Sequence, residues 1–139
     1  MPTLERVAGR PTWLLSRAHN RAQRLLAEAF ATEGLRGYHF RVLAALDQYA
    51  AASQADIGRY TDIDRSDVVA TLSDLVELGL VVRRVDEGDR RRNIVEITKR
   101  GLAVLARLDK QLDRVQQAVL APLTPPERAS LVRLLTKLA

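Results

Sequence analysis

Three arginines stand side by side at Arg90, Arg91 and Arg92, directly after the acid Asp89. A guanidinium group keeps its charge at physiological pH and forms paired hydrogen bonds with phosphate or carboxylate oxygens. The stretch from Arg83 to Arg92 carries five arginines against three acids. Such a cluster favours contact with a polyanion; the alternative interpretation is a solvated surface loop.

The elements on either side of these arginines predict a β-hairpin. Leu80–Val85 and Asn93–Ile97 are rich in β-branched residues, and Asp86–Asp89 between them consists of turn-forming residues. A narrow DNA minor groove has an enhanced negative potential that attracts arginine. We expect Asp89, two residues before Arg91, to hold that guanidinium in a bidentate pair.

An amphipathic helix precedes the hairpin, with its start signal at Asp64–Asp67 and a helix-ending glycine at Gly79. At 3.6 residues per turn its apolar side chains share one face, which comprises Val68, Leu72, Leu75 and Val76. The opposite face would meet a DNA major groove, because the N-terminal residues of such a helix reach base edges. The predicted first contacts are Arg65, Ser66, Ala70 and Thr71.

The charge of this helix is opposite to that of the hairpin. Between Asp64 and Gly79 there is one arginine against four acids, so the helix does not bind DNA by charge. Asp67 is able to accept a cytosine amino proton, although an acid at this position more commonly stabilises its own helix end. A helix followed by a basic hairpin is the sequence form of a winged helix-turn-helix, which reads double-stranded DNA.

Apolar periodicity and capping residues predict the other helices. They are expected at Pro11–Ala31, Tyr38–Ala51, Gln54–Tyr60 and Thr98–Leu120, with a last one opened by Thr124. The second is expected to turn Val42, Leu43, Leu46 and Tyr49 inward. The predicted fold class is mainly α with a small β-hairpin wing. One domain over residues 1–139 is expected, with the winged part at about 35–98 and helical parts at about 1–34 and 99–139.

Composition excludes several classes of function. The 139 residues include no cysteine, which rules out disulfides, thiolate metal sites and thiol sensing. His19 and His39 lack metal-ligand spacing, and no nucleophile with a base or phosphate-binding glycine loop is present. We therefore expect no enzyme activity, no metal and no cofactor. The net charge of +5 suits a polyanionic partner.

The sequence also gives no sign of membrane insertion. The longest uncharged stretch, Val115–Pro126, is interrupted by glutamines and prolines and is shorter than the roughly 20 apolar residues of a membrane span. Glu5 soon after Met1, without a long apolar segment behind it, does not resemble a secretory signal. A cytoplasmic location without a membrane partner is expected.

Taken together, these motifs resemble the MarR family (multiple antibiotic resistance regulators) over nearly the whole chain. The segments that carry the resemblance are Leu35–Leu43, Leu78–Val81, Asp89–Arg91, Val95–Thr98 with Gly101, and Thr124–Arg128. It implies a homodimer whose N- and C-terminal helices intertwine and whose two winged units bind successive turns of a palindromic operator. It also implies that Asp89 and Arg91 form the minor-groove pair of the wing. The acidic helix that starts at Asp64 departs from the family pattern, in which this helix often has more basic or hydroxyl residues.

The resemblance further implies release of DNA when a small aromatic or phenolic effector binds between the dimer helices and the winged unit. Candidate effector residues are Trp13 and Arg17, one helical turn apart, and Tyr38 and His39 at the start of the second helix. Arg17 could hold a carboxylate and Trp13 could stack on a ring. The alternatives are a cation–π pair of Trp13 with Arg17 at the dimer surface, and a helix-start role for His39.

Two hypotheses about function follow. The first is a dimeric, sequence-specific regulator, a repressor that a small aromatic effector releases from its operator. The second is an architectural DNA-binding protein without sequence preference or effector.

Overall fold

The computed structural model describes residues 4–139. Its helices are α1 Glu5–Ala8, α2 Pro11–Ala31, α3 Gly37–Tyr49, α4 Gln54–Thr61, α5 Arg65–Glu77, α6 Lys99–Leu120 and α7 Pro125–Leu138. Its strands are β1 Ala52–Ser53, β2 Val81–Val85 and β3 Asn93–Ile97. The predicted fold class, mainly α with a small β-hairpin, is confirmed.

The chain divides into two compact units. The central unit is Ala27–Gln111, and the terminal-helix unit contains the described residues up to Leu26 together with Leu112–Ala139. Both α2 and α6 run from one unit into the other. The central unit extends beyond the predicted winged part at both ends, because the last turns of α2 and the first half of α6 belong to it.

The core of the central unit is aliphatic. Its fully buried side chains come from α3, α4, α5, β2, β3 and α6, and the largest are Leu43, Leu46, Ile57, Leu72, Leu75 and Leu108. The predicted inward positions on α3 are confirmed for Val42, Leu43 and Leu46. Tyr49 is an exception: it is about half exposed at the end of α3, and its ring stacks on Tyr60 of α4 with 4.1 Å between the ring centroids.

The three strands form an antiparallel sheet in the order β1-β3-β2. The predicted hairpin is present, with Val81 opposite Ile97 and Val85 opposite Asn93. The two-residue strand β1 adds Ser53 opposite Ile94. A strand this short has no periodicity, so the sequence did not reveal it. Ser53, which caps α4, is therefore paired with β3, the strand that follows the arginine-rich turn.

Helix ends follow the predicted chemistry in most cases. Ser53 Oγ accepts from Asp56 N–H and Thr124 Oγ1 accepts from Glu127 N–H, so α4 and α7 both start with capping boxes. Gly79 has the predicted left-handed conformation, with φ of +74°. Asp64 occupies the N-cap position of α5 as expected, but its side chain forms no capping hydrogen bond.

The terminal-helix unit has few buried side chains. Arg21 of α2 donates to the carbonyls of Ala118 and Val119 at the end of α6, at 3.2 and 3.3 Å. Arg128 of α7 donates to the Leu123 carbonyl and to Gln117 Oε1. No residue of α7 is buried. None of the helices described between residues 4 and 139 combines the length and apolar character needed to cross a membrane.

Gly101 shows why the start of α6 requires glycine. A Cβ built at this residue would lie 2.2 Å from the Leu80 carbonyl oxygen and 2.7 Å from Ile97 Cγ1. The backbone of α6 therefore packs directly on Leu80, which precedes β2, and on Ile97 at the end of β3. At the same place Thr98 Oγ1 accepts from Gly101 N–H.

We predict that Gly101→Ala destabilises the protein by about 1–3 kcal/mol or more, because backbone atoms must move to accommodate the methyl group. The matched control is Gly58→Ala in α4, whose nearest atom would be 3.8 Å away. That variant should be neutral or gain up to about 1 kcal/mol from helix propensity. Urea unfolding at fixed protein concentration measures both, and equal midpoints for the two variants would contradict the prediction.

Candidate nucleic-acid interface

Helix α5 is divided into a buried and an exposed side. Val68, Leu72 and Leu75 are fully buried in the central unit, and this burial fixes the rotation of the helix. Ser66, Asp67 and Ala70 are exposed on the other side, as predicted. Arg65 is exposed in the first turn, where it lines the space between α4 and β3.

Thr71 does not share the exposed side of α5. It is only 5% exposed, because it lies three residues after Val68 and one residue before Leu72 and therefore turns toward the core. This burial argues against the predicted contact of Thr71 with a DNA groove. Val76, which was predicted on the inner face, is instead 39% exposed. The exposed side of α5 therefore carries Val69, Val76 and Glu77 as well as Arg65 and its small residues.

One acid of α5, Asp74, is hydrogen-bonded to a histidine of α3. Asp74 Oδ2 lies 2.9 Å from His39 Nε2, and His39 Nδ1 accepts a hydrogen bond from Arg36 N–H, also at 2.9 Å. Because Nδ1 is the acceptor, Nε2 carries the hydrogen and donates to Asp74. His39 is 7% exposed, so the ring links the first turn of α3 to α5 inside the protein.

We predict that His39→Ala destabilises the protein by about 1–3 kcal/mol, since it leaves a helix-start N–H without its acceptor. His39→Gln is the matched variant, because glutamine at this position of a capping box can still accept from the N-cap N–H. It should lose less stability than His39→Ala in chemical denaturation. Equal losses would contradict the assigned capping role.

The arginines of the hairpin differ in what they contact. Arg91 is 91% exposed, and its Nε lies 3.3 Å from Asp89 Oδ1, which also accepts from Arg91 N–H at 3.1 Å. The predicted pair is therefore present, through one guanidinium nitrogen rather than two. Arg84 is tied to Glu96 of the neighbouring strand at 2.6 Å.

Arg92 reaches further than the others. Its Nη2 lies 3.6 Å from Asp56 Oδ2 in α4, and its Nε lies 4.0 Å from Asp86 Oδ2 in the turn. Asp56 also binds Arg59. Hydrogen bonds from the Ser53 side chain and backbone, with the charge of Arg59, hold the pKa of Asp56 below its ordinary value. Across the described hairpin, Arg83 and Arg90 are exposed and take part in no ion pair.

An open trough of about 1050 Å³ lies between the start of α4, the start of α5 and the base of the hairpin. Its polar lining combines three arginines with two acids and three uncharged groups: Arg59, Arg65, Arg92, Asp56, Asp62, Ser53, Gln54 and Asn93. The sequence analysis did not assign Gln54, Arg59 or Asn93 to this surface, since their position depends on how α4 and β3 pack. Arg59 and Arg92 both pair with Asp56, so Arg65 is the guanidinium group of this lining that takes part in no ion pair.

The candidate effector residues fall in different units. In the terminal-helix unit, the Arg17 guanidinium carbon lies 5.8 Å from the Trp13 ring centroid, and Arg17, Asn20, Arg21, Gln23 and Arg24 line a depression of about 530 Å³. In the central unit, Tyr38 is partly exposed below Arg41. Both ring nitrogens of His39 are already bonded, which supports its helix-start role.

The described residues also contain no group of three or more His, Asp or Glu side chains placed to hold a metal ion. The surface of the central unit presents guanidinium, carboxylate, amide and hydroxyl groups on α4, α5 and the hairpin. This fold and surface define a winged helix-turn-helix DNA-binding protein.

Comparisons with known proteins narrow this class. A sequence profile described as MarR family matches residues 33–92. A curated relative from Thauera aromatica, named as a putative transcriptional regulatory protein for the hcr operon, is 32% identical over 95% of this chain and 80% of its own length. The HTH-type transcriptional repressor NicR of Pseudomonas putida is 28% identical over 90% of this chain and 79% of its own length.

The similarity extends to three dimensions. The structure of Bordetella bronchiseptica BpsR, from work on the regulation of its DNA binding by 6-hydroxynicotinic acid, superimposes with a TM-score of 0.84. It is 28% identical, and the match covers 99% of this chain and 97% of that one. This chain belongs to the MarR family, whose members are DNA-binding transcriptional regulators and not enzymes.

Proposed function

We propose that this chain is a homodimeric repressor that binds a palindromic operator and is released by a small aromatic acid. The observation that carries the proposal is the exposed surface formed by α5 and the hairpin, with Arg65, Ser66, Asp67 and Ala70 on the helix and Asp89, Arg90, Arg91 and Arg92 on the turn. The repressor role is inferred from the name of the relative NicR.

Dimer formation is supported by the apolar surface of the terminal-helix unit. Its exposed large apolar side chains include Trp13, Leu14 and Leu15 on α2, and Val132, Leu134, Leu135 and Leu138 on α7. Several neighbouring apolar side chains on a surface favour an interaction site, because monomeric soluble proteins seldom expose large apolar patches. A second copy that packs its own end helices against these faces would remove them from water.

Division of labour between α5 and the hairpin supports sequence-specific binding. The first turns of α5 present small side chains, Ser66, Asp67 and Ala70, which suit base edges, while the hairpin presents exposed guanidinium groups, which suit phosphates and the minor groove. Asp74 accepts a hydrogen bond from His39 Nε2–H, which fixes this carboxylate on α5.

Selection of duplexes from a random-sequence library tests specificity. The wild-type protein should enrich an inverted repeat and prefer it over random DNA by roughly 10³-fold or more at fixed salt. Equal competition by random DNA would instead support the architectural hypothesis, and absence of DNA binding would refute both.

Replacement of Arg91 by glutamine should weaken binding to the selected duplex by about 1–3 kcal/mol if the guanidinium contacts bases. Arg107→Gln is a control with the same change in charge, because Arg107 lies on α6 and pairs with Glu33 outside the proposed interface. A titration at constant salt compares the two variants with the wild type. Equal affinities for Arg91→Gln and wild type would remove Arg91 from the interface.

Effector binding is proposed at Arg17 and Trp13. A guanidinium beside an exposed indole offers an ion pair to a carboxylate and a flat surface to an aromatic ring. The ligand named for BpsR, 6-hydroxynicotinic acid, has both groups, and on this chain we infer the same chemical class.

Hydroxylated aromatic carboxylates should therefore raise the melting temperature by mass action, with about 2.7 kcal/mol of stabilisation at a ligand concentration of 100 times Kd. The Arg17→Gln variant should lose this shift, while Arg83→Gln, the same change in charge at an exposed residue of β2 outside this depression, should keep it. A panel including benzoate, 4-hydroxybenzoate and 6-hydroxynicotinate in a thermal-shift experiment would measure the effect. No shift for any compound, or an unchanged shift in Arg17→Gln, would contradict this part of the proposal.

A further inference from the structure

We infer that Arg92 is a positioning residue, which holds the hairpin turn against α4 through Asp56 and does not itself neutralise a DNA phosphate. This inference rests on the proposed DNA-binding function and assigns a different role to one member of the arginine run. It follows from the contacts of Arg92 on both its backbone and its side chain.

The backbone of Arg92 closes the turn. Its N–H donates to the Asp89 carbonyl at 2.9 Å, and its carbonyl accepts from Asp86 N–H at 2.9 Å. Arg92 directly precedes β3, whose residue Ile94 pairs with Ser53 of β1. The residue therefore lies where the exposed turn joins the part of the sheet that is attached to α4.

The side chain of Arg92 extends this attachment beyond the last strand pair. The guanidinium lies between Asp56 and Asp86, so one carboxylate belongs to α4 and the other to the turn itself. Among the ion pairs of the described hairpin arginines, this is the one that leaves the hairpin: Arg84 pairs with Glu96 within the sheet, and Arg91 pairs with Asp89 within the turn.

The partner carboxylate is itself fixed. Asp56 Oδ2 accepts from Ser53 N–H at 3.2 Å, while Oδ1 binds Arg59, so the side chain cannot follow a moving guanidinium. The depressed pKa keeps Asp56 charged throughout the neutral pH range. The Arg92 side chain therefore links the turn to a carboxylate that α4 holds in place, and this contact restricts the motion of the turn.

The expected energy is small, since exposed ion pairs contribute about 0.2–1 kcal/mol. The consequence is local rather than global. Without the pair, the turn opens more often, and DNA binding must order it again, which costs roughly twofold to fivefold in affinity. A phosphate ligand behaves differently, because its loss lowers the salt dependence of binding by about one unit of slope.

The test uses Arg92→Gln, Asp56→Asn and the double variant, with Arg90→Gln as a matched control on the same turn. Asparagine at residue 56 retains an oxygen that can accept from Ser53 N–H. Hydrogen exchange in the free protein reports the order of the turn through the Asp86 and Arg92 amides. Binding to a random-sequence duplex and to the selected duplex, over a range of salt concentrations, reports phosphate contacts.

We expect both Arg92→Gln and Asp56→Asn to speed exchange at both amides, Arg92→Gln at least as much because it also loses the contact with Asp86, and the double variant to exchange no faster than Arg92→Gln. Arg90→Gln should leave exchange unchanged. The slope of log K against log salt should match the wild type for Arg92→Gln. Its loss of affinity for the selected duplex should be smaller in the Asp56→Asn background, where only the contact with Asp86 remains to be lost.

Two results would overturn the inference. One is wild-type exchange of the turn amides in Arg92→Gln. The other is a salt slope lowered by about one that persists when Asp56 is replaced, since this identifies a direct phosphate ligand. Failure of the wild type to bind any duplex would refute the proposed function but leave the exchange experiment able to decide the role of Arg92.

Discussion

The burial of one side of α5 is the constraint on which the rest of the interface depends. Val68, Leu72 and Leu75 lose all contact with solvent in the core of the central unit, so the helix has one stable rotation. Burying three aliphatic side chains stabilises the helix by several kcal/mol, about 1.5–3 kcal/mol for each. No polar contact of α5 has a comparable energy, and the outward side is therefore determined by what must face inward.

Charge is distributed in accordance with this geometry. The exposed side of α5 carries small side chains together with Arg65 and several acids, of which Asp74 is hydrogen-bonded to His39, while the hairpin supplies exposed cations. Asp56 links the two regions, because it caps α4 and pairs with arginines from both α4 and the hairpin turn. We propose that binding and positioning roles are divided among adjacent arginines that look equivalent in the sequence.

Much of the fold could be predicted because its signals are local. Apolar periodicity predicted the ends of the long helices α2, α3 and α6 to within one or two residues. The capping boxes at Ser53 and Thr124 marked the starts of α4 and α7. The strand β1 and the helix α1 were missed because two and four residues are too short to show a period. The exposure of Tyr49 and the burial of Thr71 depend on how helices pack, which a helical wheel does not describe.

For the candidate interface, the sequence predicted which residues lie on the hairpin turn but not the contacts that they form with other elements. Sequence identified the arginine run and the pair of Asp89 with Arg91, since both are contiguous. It did not identify the contact of Arg92 with Asp56, or of His39 with Asp74, because these residues are 36 and 35 positions apart and meet only in the folded chain. Long-range pairs of this kind need coordinates.

The central claim is that the exposed side of α5 and the hairpin turn together form the DNA-binding surface. Its most direct test is hydrogen exchange of the protein with and without the selected duplex. We expect the duplex to protect the first turns of α5 and the turn between β2 and β3, with two chains bound per duplex. Protection confined to the terminal helices, with unchanged exchange in α5 and the turn, would contradict it.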